Sequence, residues 1–275
     1  MGINISENNV NPLGLFFRRR ITLVVGIMFF VSVITMILMS CFDIFNSLTF
    51  SSQEDKDAYL LIFFFDFFIG ILNLLPAISF FLLFFNSKNS PSKNYLSTPA
   101  TLLTVFSVIS LVLTIGLSIF TVVILCLLVL IPFFIIITIG GIAVIMVAAP
   151  VVITYFISLI VASRSVANSR KRILIKSGPI IFLGVMCILL CLGLICLMTP
   201  TFLISVNETL QLDFDFSSIS AQLPLIIRIF SAFLANLFLA IWCFCYVGFA
   251  HKTNAYLKSS PYISYQNSNQ QSKFY

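Results

Sequence analysis

The sequence predicts an all-α fold, a polytopic membrane helix bundle of about six transmembrane helices with both termini cytoplasmic. Three observations carry that expectation. Hydrophobic residues make up 60% of the 275 residues and charged residues only 9%, against roughly 25% charged in ordinary soluble domains. The mean hydropathy of +1.13 leaves no polar shell for a water-soluble core of this size. The few charges stand in stations of alternating sign between long uncharged stretches, as in a chain threaded repeatedly through a bilayer with its basic loops retained in the cytoplasm.

Residues 1–20 read as a cytoplasmic N-terminal segment, polar at first, with an amphipathic finish at Leu13, Leu15, Phe16 and Phe17 and an edge marked by Arg18, Arg19 and Arg20. Residues 21–42 form the first span. At about 1.5 Å per residue they reach about 33 Å, enough for a hydrocarbon core of roughly 30 Å. The acidic stretch 43–58, with Asp43, Glu54, Asp55 and Asp57, is expected as an external loop. Residues 59–85 return as a second span, interrupted by Asp66, Asn73 and Pro76, whose length allows tilt or a kink at the proline. Lys88 and Lys93 then mark a cytoplasmic turn at 86–98.

Residues 100–162 carry no charge. That is too long for one helix and suits two, and the basic flanks on both sides demand an even number of crossings. Spans at 101–129 and 133–161 divide this stretch near Ile131-Pro132. Gly140-Gly141 is a competing break, Pro150 is expected to bend the fourth helix, and a hairpin turning inside the membrane is a further alternative. The basic segment 162–177 follows, then a fifth span at 179–204, a second acidic external loop at 205–222, a sixth span at 223–250 and a mobile cytoplasmic tail at 251–275. With this threading, 13 of the 15 Lys and Arg residues lie on the cytoplasmic side, Lys56 lies outside and Arg228 lies within a span, which sets the orientation.

Positive-inside retention accounts for the net charge of +6, so no nucleic-acid partner is expected. All seven cysteines fall in apolar segments, which argues against a disulfide framework. Cys187 and Cys191 share a helix face, but with no His or carboxylate beside them they read as packing residues, and no metal is expected. Met1-Gly2 fits a loose myristoylation pattern and Asn207-Glu208-Thr209 a glycosylation sequon, both meaningful only in a eukaryotic context. Leu38-Met39-Ser40-Cys41 weakly resembles a lipoprotein cleavage site, but the segment before it is long enough to be an uncleaved first helix.

Asp66 and Arg228 are the ionisable residues clearly inside spans, where charge is costly. Counted from the external ends of their spans they lie about 10 Å and about 7.5 Å deep, so they are candidates for an ion pair in the outer leaflet or for a transport site. Independent snorkelling of Arg228 and protonation of Asp66 are the plainer alternatives. Asn73 and Asn236 at mid-depth read as interhelical glue, or as the lining of a path. Ser231 with Ala235, and Thr114 with Ser118, offer small faces for close helix approach, and His251 stands at the cytoplasmic end of the last span. Arg164, Arg170, Lys171, Arg172 and Lys176 are candidates for contact with anionic phospholipids. The chain has no phosphate loop, no metalloprotease His pair and no nucleophile elbow, so no enzyme and no cofactor are expected.

At Leu15-Phe16-Phe17-Arg18, Pro132, Ala149-Pro150-Val151, Ala162-Ser163-Arg164-Ser165 to Arg172, and Pro179, the chain resembles the YciC family of bacterial inner-membrane proteins. The resemblance implies a polytopic protein of about six helices in a bacterial inner membrane, with no catalytic residues. The chain departs from the family where Val152–Val161 stays largely apolar after the Ala-Pro-Val. Two functional readings follow from the sequence: a non-enzymatic scaffold, assembly or envelope-support protein in contact with the lipid bilayer, or a small transporter or channel subunit with a path near spans two and six.

Overall fold

A computed structural model of the protein describes residues 12–50, 53–88, 96–128, 135–168, 175–211 and 216–259. Among these residues there are seven helices and no strand. They are α1 (Pro12–Phe17), α2 (Arg20–Phe50), α3 (Gln53–Lys88), α4 (Ser97–Leu128), α5 (Ile135–Asn168), α6 (Gly178–Gln211) and α7 (Phe216–Ser259). Helices α2 to α7 each contain a stretch of 19 to 32 residues long and apolar enough to cross a membrane. The chain is therefore a multi-pass membrane protein built as a helical bundle. Backbone groups buried in lipid must be paired within their own segment, and six continuous helices meet that demand.

The helices form a closed ring. Each of α2 to α7 packs on its neighbours in sequence, and α7 returns to pack on α2. The uncharged stretch folds as two separate long helices, α4 and α5, and Gly140-Gly141 lies inside α5 instead of breaking the helix; Ile131-Pro132 lies outside the described residues. Pro76 and Pro150 lie within α3 and α5, which run through them.

The structure departs from the expected loops at both acidic stations. Asp43 belongs to α2, Glu54, Asp55 and Asp57 belong to α3, and Glu208 belongs to α6. A helix needs no lipid to continue, because its hydrogen bonds close internally on either side of the interface. Polarity thus marks where the membrane ends, not where the helix ends. For the same reason α5 carries Arg164 up to Asn168, and α7 extends to Ser259, into the segment expected as a tail. With 44 residues α7 is about 66 Å long at about 1.5 Å per residue.

The N-terminal segment also departs from expectation. Leu13, Phe16 and Phe17 are completely buried, whereas Leu15 remains exposed. The spacing i, i+3, i+4 puts the three buried residues on one face of α1, and that face closes the bundle at the end where α3 and α7 meet it. The Phe16 ring sits 5.6 Å from Trp242, 5.3 Å from Tyr246 and 5.5 Å from Phe249, so the short helix packs on the C-terminal half of α7. A tight turn at Arg18 and Arg19 leads into α2, where Arg18 Nε donates to the Ser87 carbonyl of α3 and the Arg19 guanidinium stacks on Phe16 and Phe249.

Burial divides the α4–α5 hairpin in two. α4 buries Ala100, Leu103, Phe106 and Ser107 near its start, but no described residue from Val108 to Cys126. α5 buries Tyr155, Ser158, Leu159, Ala162, Ser163 and Val166 near its end, and no described residue before Tyr155. The end of the ring near α1 thus holds the buried part of this hairpin, while in the opposite half the described side chains are exposed or only partly buried.

Candidate functional site

Side chains buried between helices bear the polar chemistry of the bundle, and nearly every neighbour contact around the ring has one polar bond. Trp242 Nε1 on α7 donates to Thr22 Oγ1 on α2 at 3.1 Å, with both residues buried. Ser79 Oγ on α3 donates to the Pro99 carbonyl of α4 at 2.7 Å. Thr104 and Ser163 share a hydroxyl bond of 2.8 Å between α4 and α5. Cys191 on α6 reaches the Phe233 carbonyl of α7 at 3.7 Å. The Asn254 side chain on α7 accepts from Ile175 N at 2.9 Å and donates to Ile175 O at 2.8 Å, which clasps the segment before α6. An interhelical bond of this kind contributes about 0.6 kcal/mol on average and up to about 1.7.

Two of these helix pairs cross closely because a glycine stands at the contact. A Cβ at Gly184 would lie 3.1 Å from Cys243 Cβ, and one at Gly26 would lie 3.1 Å from the Phe81 ring and 3.4 Å from Phe80 Cβ. Ser231 and Ala235 are buried on α7, whereas the hydroxyls of Thr114 and Ser118 bond back to their own helix. Cys187 and Cys243 are fully buried and Cys191 nearly so, without disulfides.

The intramembrane candidates divide between elements. Arg228 Nη2 on α7 donates to Ser40 Oγ on α2 at 3.3 Å, and Ser40 Oγ in turn donates to the Met36 carbonyl at 2.8 Å. Asp66 belongs to α3, and its side chain lies outside the described residues. Asn73 on α3 donates to Met36 Sδ on α2 at 3.5 Å, a bond to a weak acceptor. Asn236 donates to the Ala232 carbonyl of its own helix at 2.9 Å, and its Oδ1 is buried with no hydrogen-bond partner among the described residues. Asn73 thus bridges two helices, and Asn236 does not.

The ring centre holds a cavity of about 20 Å³, lined by Phe80, Leu83, Leu103, Leu183, Leu239 and Trp242, with Ser163 the one hydroxyl on its wall. That volume holds about one water, which needs two to four polar partners to stay. The wall offers one hydroxyl, already bonded to Thr104.

On the outside of α4 and α5 lies a second depression, a groove of about 250 Å³ lined by Ala100, Thr101, Thr104, Val105, Arg164 and Ala167. Arg164 and Lys176 are exposed, and Arg170, Lys171 and Arg172 lie outside the described residues. His251 is exposed near the end of α7. No sequence feature singled out the Trp242–Thr22 bond or the two close glycines, and the amphipathic finish at Leu13, Phe16 and Phe17 did not say what that face would pack on. The available signals were a tryptophan that occurs once in 275 residues and the aromatic pair directly before the arginines. No protein-family model, no curated protein and no solved structure matches the chain.

Proposed function

We propose that the protein is a non-enzymatic scaffold, assembly or envelope-support protein that acts through helix packing and lipid contact, with both termini and the basic end of the bundle in the cytoplasm. The observation that carries this reading is the ring centre: an apolar cavity of about 20 Å³ is too small and too poor in polar partners for a hydrated path. Thr22 with Trp242, Ser79 with Pro99 and Thr104 with Ser163 bond from helix to helix, the arrangement of a structural bundle. The basic residues of the sequence favour this orientation. The resemblance to the YciC family favours a bacterial inner membrane.

A second reading, a small transporter or channel subunit with a path near α3 and α7, has one observation in its favour, the buried Asn236 Oδ1 without a partner among the described residues. Cysteine accessibility separates the two. In a variant with the natural cysteines replaced, single cysteines at Asn73, Asn236 and Ser163 are expected to resist a membrane-impermeant maleimide in both right-side-out and inside-out membrane vesicles, while one at the exposed Lys176 reacts in the inside-out vesicles. Labelling at Asn236 and Ser163 would establish a wet interior and overturn the scaffold reading.

A further inference from the structure

We propose that the groove between the start of α4 and the end of α5 seats the phosphate headgroup of an anionic phospholipid from the cytoplasmic leaflet, with Arg164 as its cationic anchor. The inference rests on the orientation proposed above, because that orientation brings this end of the bundle to the cytoplasmic interface. The groove has the chemistry of such a ligand. Its wall combines the exposed guanidinium of Arg164 with the small side chains of Ala100 and Ala167 and with Thr101 and Thr104, whose hydroxyls donate to the Ser97 and Ala100 carbonyls of their own helix and so leave the guanidinium as the donor to phosphate. A guanidinium offers a planar fork of donors to phosphate oxygens.

Charge in the surroundings is of one sign. Between Asp66 and Glu208 the sequence contains no Asp or Glu, whereas it contains Lys88, Lys93, Arg164, Arg170, Lys171, Arg172 and Lys176. An anion at Arg164 therefore meets no competing carboxylate from α4, α5 or the segments that flank them.

Size and continuity favour a lipid over a free anion. A groove of about 250 Å³ falls below the roughly 300–1,000 Å³ of pockets that enclose a whole small ligand. It takes a headgroup and leaves the chains outside. The groove also continues as an apolar track toward the membrane interior. Val105, Val108 and Val112 follow Thr101 along one face of α4, and Val161 and Ile157 follow Arg164 back along one face of α5, all of them exposed. Five exposed apolar side chains leading from a headgroup-sized, cationic recess match the division of a phospholipid into head and chain.

The test is native mass spectrometry of the full-length protein in mild detergent, with phosphatidylglycerol and phosphatidylcholine of identical chains in competition. The native protein should retain phosphatidylglycerol preferentially. Arg164→Gln should lower that preference about fivefold, the effect of one basic residue against an anionic lipid, and Arg164→Lys should keep part of it. Val105→Trp, which fills the groove without changing charge, should weaken retention of both lipids. A combined Arg170→Gln, Lys171→Gln, Arg172→Gln variant should keep most of the preference. Equal preference in the native and Arg164→Gln proteins, or loss confined to the triple variant, overturns the proposal, as does displacement of the lipid by inorganic phosphate alone. Because Arg164 is exposed, unchanged thermal melting of Arg164→Gln excludes unfolding as the cause of a loss. Binding in detergent does not depend on orientation. Labelling a cysteine at Lys176 from each side of the membrane tests orientation separately, and reaction from outside would reverse the leaflet while leaving the groove assignment to the lipid competition.

Discussion

Trp242 Nε1 donates to Thr22 Oγ1 across 220 residues of sequence, joining the first long helix to the last at a buried contact. This bond closes the ring, since α7 packs on α2 here and the Trp242 indole also meets Phe16, Phe17 and Phe80. The first prediction follows from its chemistry. Thr22→Val keeps the volume of the side chain and leaves the indole N–H without its acceptor, which should cost about 1–3 kcal/mol. The double variant Thr22→Val with Trp242→Phe should cost less than the two single changes summed. Unfolding in mixed micelles measures this coupling, and strict additivity would show that the bond contributes nothing.

Gly184 and Gly193 provide a matched pair on one helix. A Cβ at Gly184 meets Cys243 Cβ at 3.1 Å, whereas one at Gly193 meets nothing within 4 Å. Gly184→Leu should push α6 from α7 at a cost of about 1–3 kcal/mol. Gly193→Ala should be neutral or slightly stabilising, because alanine has the higher helix propensity. Equal melting temperatures for the two variants would remove the close crossing from the account of stability.

Phe16 and Leu15 are adjacent, one wholly buried and the other 40% exposed. Phe16→Ala should destabilise the bundle by about 3–5 kcal/mol, and Leu15→Ala by much less. A thermal scan in detergent distinguishes them. If both changes were mild, α1 would not be an integral part of the core.

Arg228 and Ser40 are expected to be coupled, as are Arg228 and Asp66 if the outer-leaflet pair exists. Arg228→Gln combined with Ser40→Ala should fall short of additivity by about 0.5 kcal/mol or more, the threshold at which residues in contact separate from independent ones. The same cycle with Asp66→Asn tests the ion pair. Additivity in that second cycle alone would leave Arg228 anchored to α2 and remove Asp66 from its surroundings.

The bundle was legible in the sequence to the extent that the bilayer itself writes the pattern. Apolar runs between charges mark the places where the chain crosses, and α2 to α7 contain them. The ends of the helices were not legible, because Glu54 or Arg164 can continue a helix into water as readily as end one. Packing faces were hidden for a related reason. A soluble helix advertises its buried face by contrast with a polar one, but Val25 and Ile27 on α2 are both aliphatic although one is buried and the other faces outward. In the site, Arg228 and Asn73 were singled out by their polarity and do make contacts between helices. Thr22, Ser79 and Thr104 passed unnoticed because hydroxyls are ordinary in apolar helices, where they can bond to their own backbone.

The burial of α1 bears on the order in which the protein is made. Leu13, Phe16 and Phe17 precede every span in synthesis, yet the pocket that receives them is built from Trp242, Tyr246 and Phe249 near the other end of the chain. The first described residues to be translated must therefore wait for the last helix before they find their place. Until α7 arrives, three bulky hydrophobic side chains stand beside three arginines with α3 but not the aromatic pocket of α7 to cover them, and α1 becomes the final piece to lock.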